Sequence, residues 1–364
     1  MGDNGDRPWD ELAREQNGEE AEMKKRLLEF LVCPATHSRL ELEISRSDDD
    51  EIIEGLLRSP LGQTYPVRGG IPRFVSSEAY AASFGYEWNR HSRIYFGGKD
   101  RHRVHSTYSQ LARKLDLSPE KVRNSIVLDV GGGTGANTAA IAEWGAREVF
   151  CVDLSSAVEA AFANTRHLPN VHVVQADLFC LPLALGLFTT VFGMGVLHHT
   201  PDTKKAFVSL LPLLMENGVI AIWVYHDTGG IQRRLSDWLR SATTKMNPNL
   251  LYGLCWVAVP AYWVYKIPFL GKLLFHFLPP ISKEPYWEDR VLDTFDWYSP
   301  RYQWKHTYPE VYRWFQEANL RDIHLLDVPV SLWGRKTASA LHCGSSVVSE
   351  PTHELEKEPS RKSN

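Results

Sequence analysis

Residues 126–138 read IVLDVGGGTGANT. An apolar run rich in β-branched residues leads to Asp129, and four glycines, Gly131, Gly132, Gly133 and Gly135, follow within five positions. Backbone without Cβ atoms turns tightly and lets a ligand come close. Placed between a strand and a helix, such a loop suits a nucleotide-like molecule, bound outside the carboxyl end of the strand. Further along, Asp153 ends EVFCVD, Asp177 follows VHVVQA, and GMGVLHHTPD carries His198 and His199. A carboxylate about 20 residues beyond the glycine loop can hold a ribose diol. Histidine, whose ordinary pKa lies near neutrality, can move a proton.

Two ligand classes use such a loop. A dinucleotide rests its pyrophosphate on the helix N-terminus, and Gly131, Gly133 and Ala136 satisfy the looser dinucleotide fingerprint. S-adenosylmethionine has no phosphate, and Asp153 serves either ligand. Three features separate them. Gly135 makes the denser GGGTG, which brings backbone against an amino-acid moiety. Asp177 ends a third strand, where its carboxylate can accept from an adenine amino group while Leu178 offers its N–H. The two histidines after the fourth strand have no use in a dehydrogenase.

VLDVGGGTG, VDLS, ADLFCLP and VLHHTPD, in this order and spacing, resemble the class I S-adenosylmethionine-dependent methyltransferases, in particular the type 11 small-molecule branch. The resemblance covers residues 120–226 well and 290–335 more loosely. It implies that Asp129, Gly131, Gly132, Gly133 and Gly135 line the methionine end, that Asp153 binds the ribose hydroxyls and that Leu154 packs on adenine. It also implies that Asp177 and Leu178 hold the adenine edge, with Gly193 and Met194 along the methionine and sulfonium. One departure is Phe188-Thr189 where relatives carry Phe-Asp, a position usually structural.

The elements that must position these residues alternate strand and helix from residue 126 onward, which means βαβ units. The fold class expected is α/β, a Rossmann-like, mostly parallel sheet with an antiparallel last strand, a small N-terminal β-rich module and a helical insert. TKKAFVSLLPLLMENG reads as one helix ending at Gly218.

Ahead of it, LLEFLVCPATHSRLELE and YPVRGGIP resemble the zinc-ribbon-derived family whose members activate certain methyltransferases as separate subunits. Zinc-binding relatives supply four ligands. Here Cys33 stands alone, His37 is the one conceivable companion, and GLLRSPLG has no Cys, so no metal is expected. The domain plan is an acidic disordered tail at 1–22, the degenerate activator-like module at 23–76 and a connecting region at 77–125. The methyltransferase domain follows at 126–340 with an apolar helical insert at about 226–295, then a disordered tail at 345–364.

His198 and His199 are the candidate catalytic bases. No Asn/Asp-Pro-Pro-aromatic motif follows the fourth strand, which argues against amide or exocyclic amine acceptors. The net charge of −4 disfavours bulk nucleic-acid binding. The reading is methyl transfer from S-adenosylmethionine to a small-molecule or lipid-like acceptor, at oxygen or carbon, with nucleic acid an unlikely partner. RNA or protein methylation, or a non-catalytic scaffold, are the alternatives. The basic run NRHSRIYFGGKDRHRVH reads as a solvated face. The aromatics Trp297, Tyr298, Tyr302 and Trp304, with His306, suit a pocket wall and a core equally. The apolar stretch 250–281 is too short between charges to span a bilayer. It is expected to cap the substrate site, with transient contact to a membrane surface. Five scattered cysteines and a polar N-terminus without a signal core point to the cytoplasm.

Overall fold

The structure, a computed structural model, describes residues 23–337 except 49–50, 76, 79, 97–100, 228, 270 and 272–279. The tails expected at 1–22 and 345–364, and part of the 250–281 stretch, lie outside the described residues.

The N-terminal module is an antiparallel sheet of β1 (Met23–Lys24), β2 (Glu41–Asp48), β3 (Glu51–Arg58), β4 (Thr64–Arg68) and β5 (Ile71–Pro72), in which β3 pairs with β1, β2 and β4. Among the described residues it has no separate core. Leu27, Leu31, Ile52, Leu57 and Val67 belong to the same apolar cluster as Phe150, Val174 and Leu183 of the larger domain. Each such buried side chain contributes about 1.5–3 kcal/mol relative to exposure. Phe30 meets Phe150 edge to face at 5.2 Å. The Phe74 N–H donates to the Gln175 carbonyl at 2.8 Å. At the seam the buried Glu148 carboxylate takes both Arg26 and, at 2.8 Å, His172 Nε2. The module is thus fastened to the domain it precedes.

Three helices connect the two parts: α1 (Ala82–Arg90), α2 (Arg101–Leu115) and α3 (Pro119–Val122). The large sheet then follows with β6 (Ile126–Val130), β7 (Glu148–Asp153), β8 (Val171–Gln175), β9 (Phe188–Met194), β10 (Leu214–Trp223), β11 (Arg321–Leu325) and β12 (Ser331–Arg335). Their order is β11-β12-β10-β9-β6-β7-β8. Strands β6 to β10 are mutually parallel, and β12 runs antiparallel to both its neighbours. The switch point falls between β6 and β9, and the crevice at such a point, outside the carboxyl ends of the strands, is where open α/β sheets bind ligands. Strands β6 and β8 are buried throughout because helices α4 (Ala136–Glu143), α5 (Val158–Thr165), α6 (Thr203–Leu210) and α11 (Tyr308–Glu317), with α2, cover the sheet. The Thr189 hydroxyl donates to the Ile126 carbonyl at 2.9 Å and accepts from the Ile126 N–H at 3.0 Å, so the residue that departs from the family pattern fastens β9 to β6.

One helix is shorter than its sequence suggests. It stops at Leu210, a 3-10 turn takes Leu211–Leu213, and β10 begins at Leu214 and passes through Gly218. Pro212 lacks the N–H that a continuing helix needs, and Leu213 and Leu214 are buried instead.

The insert contains α7 (Gly230–Thr243), α8 (Pro248–Cys255), α9 (Ala258–Tyr265) and α10 (Trp287–Tyr298). Leu251, Tyr252, Cys255, Val291, Phe295 and Tyr298 give it an apolar centre of its own. Among the described residues no helix is long and apolar enough to cross a membrane.

Candidate active site

A cavity of about 820 Å³ opens at the carboxyl ends of the parallel strands. Its floor is the loop after β6. Gly131 and Gly132 both donate to the Val152 carbonyl, at 2.7 and 3.3 Å, which holds the loop against β7. Gly131 has φ +70°, and a Cβ there would lie 2.3 Å from Val196 Cγ2, so no larger residue fits. Asp129 lies behind the loop, 1% exposed. Its Oδ2 accepts from the Thr138 hydroxyl at 2.7 Å, and burial pushes its carboxyl up to about 7. Asp153, at the end of β7, accepts from the Gly133 N–H at 3.1 Å, the Ser155 N–H at 2.8 Å and the Ser155 hydroxyl at 2.7 Å. Burial raises its carboxyl, and those three donors oppose the rise.

The roof comes from elements outside the sheet. Helix α1 can lie on the loop after β7 because Gly85 has no side chain: a Cβ there would lie 2.3 Å from Ser156 Oγ. The Asn89 amide donates to the Ser156 carbonyl at 2.9 Å. This seating puts Glu87 and Trp88 in the cavity wall, with the Trp88 indole 3.4 Å from where a Gly133 Cβ would stand. From α2, the Lys114 ammonium sits 3.4 Å over the Trp223 ring, and burial pulls it down to about 8. From α10 come Asp293 and Asp296. Asp293 is pushed up to about 7 by burial, with Asp296 and Glu284 adding to the rise.

The two histidines of the LHH turn part company. His199 lines the cavity. Its Nδ1 is 2.9 Å from the Tyr302 carbonyl, which can only accept. Nδ1 therefore carries the hydrogen and Nε2 the lone pair. Burial lowers the imidazolium's stability and nearby Asp296 partly restores it. His198 is 0% exposed, absent from the cavity lining, and has neither ring nitrogen hydrogen-bonded. Burial, then His199, lowers it well below the usual range. Its ring packs on Tyr225, centroids 4.0 Å apart.

Of the residues singled out from sequence, Gly131, Gly132, Gly133, Asp153, Leu154, Leu178, Met194 and His199 line this one cavity. Asp129, Gly135, Asp177, Gly193 and His198 stand outside its lining. Gly135 begins α4 with φ +81°, and Asp177 Oδ1 accepts from the Phe179 N–H at 3.0 Å. The aromatic segment is divided. Trp297 lines the cavity and Tyr298 is buried in the insert, while Trp304 Nε1 donates to the Thr200 carbonyl at 2.9 Å and His306 Nε2 meets Thr203 Oγ1 at 3.0 Å. The 302–306 strap therefore holds the loop that carries the histidines. Sequence reasoning missed Glu87, Trp88, Lys114, Tyr225, Asp293 and Asp296. The signal for two of them lay in FGYEW, where a glycine precedes a buried acid and an aromatic.

A family model described as a methyltransferase domain matches residues 127–218, and one described as Trm112p-like protein matches residues 24–70. The chain therefore carries a class I S-adenosylmethionine-dependent methyltransferase domain, preceded by a Trm112p-like module. S-adenosylmethionine is the cofactor of that class, and the side-chain-free loop beside Asp153 fits it. Among curated relatives, a tRNA U34 carboxymethyltransferase of Psychromonas ingrahamii is 36% identical over 110 residues, 29% of this chain and 33% of that protein. A protein of the same name from Psychrobacter arcticus is 32% identical over 154 residues, 39% of this chain and 43% of that one. An uncharacterized protein of Synechococcus is 28% identical over 113 residues, 30% of this chain and 27% of its own. The chain spans about a third of the length of the first of these relatives.

These names correct the expected acceptor. The expectation of a small-molecule or lipid-like acceptor, with nucleic acid unlikely, is contradicted, because the matching relatives are repeatedly named for a tRNA and favour the RNA alternative. Net charge misled for a physical reason. Residues 1–22 alone hold eight acidic and two basic side chains, so the rest of the chain carries a small positive surplus.

Proposed function

We propose that this protein transfers a methyl group from S-adenosylmethionine to a base of RNA, with tRNA as the acceptor, in the cytoplasm. The observation that carries the reading is the likeness of the methyltransferase domain to relatives named for tRNA. A second observation favours it. Lys305 and Arg233 line the cavity wall, and burial, then nearby Arg233 and Arg240, lower the Lys305 ammonium. Cations in a cavity wall suit phosphate contacts, which position the nucleic acid while the cavity reads the base.

S-adenosylmethionine supplies a methyl already activated on a sulfonium. The chain's work is to align, to exclude water and to move one proton. In this reading Asp153 takes the ribose hydroxyls, the Gly131–Gly133 backbone runs along the methionine end, and Leu154 and Leu178 cover the adenine. Asp129 acts from behind, holding the loop through Thr138. His199 Nε2 accepts the acceptor's proton, while the Tyr302 carbonyl fixes the ring and Asp296 stabilises the imidazolium. His198 supports the turn.

The test is tRNA binding by fluorescence anisotropy at 50 and 200 mM salt. Wild type is expected to bind and to weaken steeply with salt. Arg233→Glu with Lys305→Glu should weaken binding and flatten that dependence. A wild-type protein that binds no RNA at 50 mM salt contradicts the proposal.

A further inference from the structure

In the cavity wall, α1 and α10 bring three carboxyl groups together: Glu87, Asp293 and Asp296. Two have partners: Asp296 Oδ2 accepts from the Tyr225 phenol at 2.7 Å, and Asp293 Oδ2 accepts from Ser282 Oγ at 3.0 Å. The third, Glu87, is 1% exposed, and neither of its oxygens has a hydrogen-bond partner. A buried polar group without a partner calls for an explanation. Glu87 is among the residues that line the cavity, and a ligand that reaches its carboxyl would supply the missing partners.

The chemistry of that ligand follows from the surroundings. Burial, then Asp296 and Asp293, push the Glu87 carboxyl well above the usual range. This shift favours the protonated form, which presents one O–H donor beside one carbonyl acceptor. Trp88 and Tyr95, ring centroids 6.2 Å apart, add flat walls beside it. Neighbouring Asp293 and Asp296 disfavour phosphate, so this part of the wall suits an uncharged ring and not the backbone that carries it.

We propose that the Glu87 carboxyl holds the acceptor base through a cyclic pair of hydrogen bonds, donating to a carbonyl or ring nitrogen of the base and accepting from the N–H beside it. This rests on the RNA reading above. Glu87 is then a recognition group and not a base: it gives up no proton, and the acceptor's proton goes to His199.

The experiment uses full-length protein, methyl-labelled S-adenosylmethionine and total RNA from source cells lacking this protein, with Glu87→Gln and Glu87→Asp beside wild type. Gln keeps a donor and an acceptor in place, so kcat/KM for RNA should stay within about threefold of wild type. Asp withdraws the same carboxyl by one methylene, and kcat/KM should fall about 30-fold, the ordinary cost of leaving buried polar groups unpaired. S-adenosylhomocysteine affinity should be unchanged in both. Loss in Gln equal to that in Asp would make Glu87 a proton acceptor, and unchanged turnover in Asp would leave it without a role; either overturns the inference alone. Loss of S-adenosylhomocysteine affinity in either variant would assign Glu87 to the cofactor and overturn it too. Absence of label from RNA with wild type would remove the RNA reading and this inference together.

Discussion

The Tyr225 phenol donates to Asp296 Oδ2 at 2.7 Å, joining the end of β10 to the insert helix α10. Tyr225 carries His198 on its face, and Asp296 favours the charged form of His199. The insert thus reaches the two residues that the sequence offered as bases. Tyr225→Phe leaves Asp296 without this donor. A stability loss of about 1–3 kcal/mol is expected, with turnover reduced about tenfold. Urea unfolding and initial rates check it, and a variant equal to wild type in both would show the contact to be idle.

His199 and His198 should separate cleanly. His199→Gln removes the proton acceptor, so kcat should fall by about a hundredfold or more with cofactor affinity kept. His198→Gln should lose stability and much less turnover. With wild type, burial holds His199 below the usual imidazole range. It is therefore already neutral at pH 7, and kcat should be flat through neutrality and fall only in acid. A kcat that climbs between pH 7 and 8 would deny His199 this role.

The cofactor end is testable without any acceptor. Asp153→Ala should weaken S-adenosylhomocysteine by about 1.5–3 kcal/mol, tenfold or more, measured by calorimetric titration. Unchanged affinity would move the ribose elsewhere.

Asp293 gives a pH dependence of stability. Its folded value of about 7 lies above the ~3.9 of an unfolded aspartate. The folded chain then binds more protons than the unfolded one across that interval. Stability should fall as pH rises from about 4 through 7 and stay low above it, by on the order of 4 kcal/mol for this group. Asp293→Asn should flatten the dependence of melting temperature on pH between 5 and 8. An identical slope in the variant would contradict the assignment.

The glycine loop, Asp153 and the LHH turn were legible because their signals are local: side-chain-free backbone, an acid at a strand end, and residues adjacent in sequence. The mostly parallel sheet followed from the βαβ rhythm for the same reason. Glu87 and Asp293 were not legible, because they meet only after α1 is seated by Gly85 and the insert folds back over the sheet. Each alone is an ordinary helical acid. The helix read through Gly218 failed where Pro212 and the burial of Leu214 outweighed an apolar pattern that strand and helix share. The RNA alternative was set aside on a total charge that a tail of 22 residues dominates.

The central claim is transfer to RNA. The most direct measurement incubates the purified full-length protein with methyl-labelled S-adenosylmethionine and a whole extract from cells lacking it, then separates RNA from small molecules. The account predicts label in the tRNA fraction that ribonuclease releases and that His199→Gln abolishes. Label confined to the small-molecule or lipid fraction would contradict it.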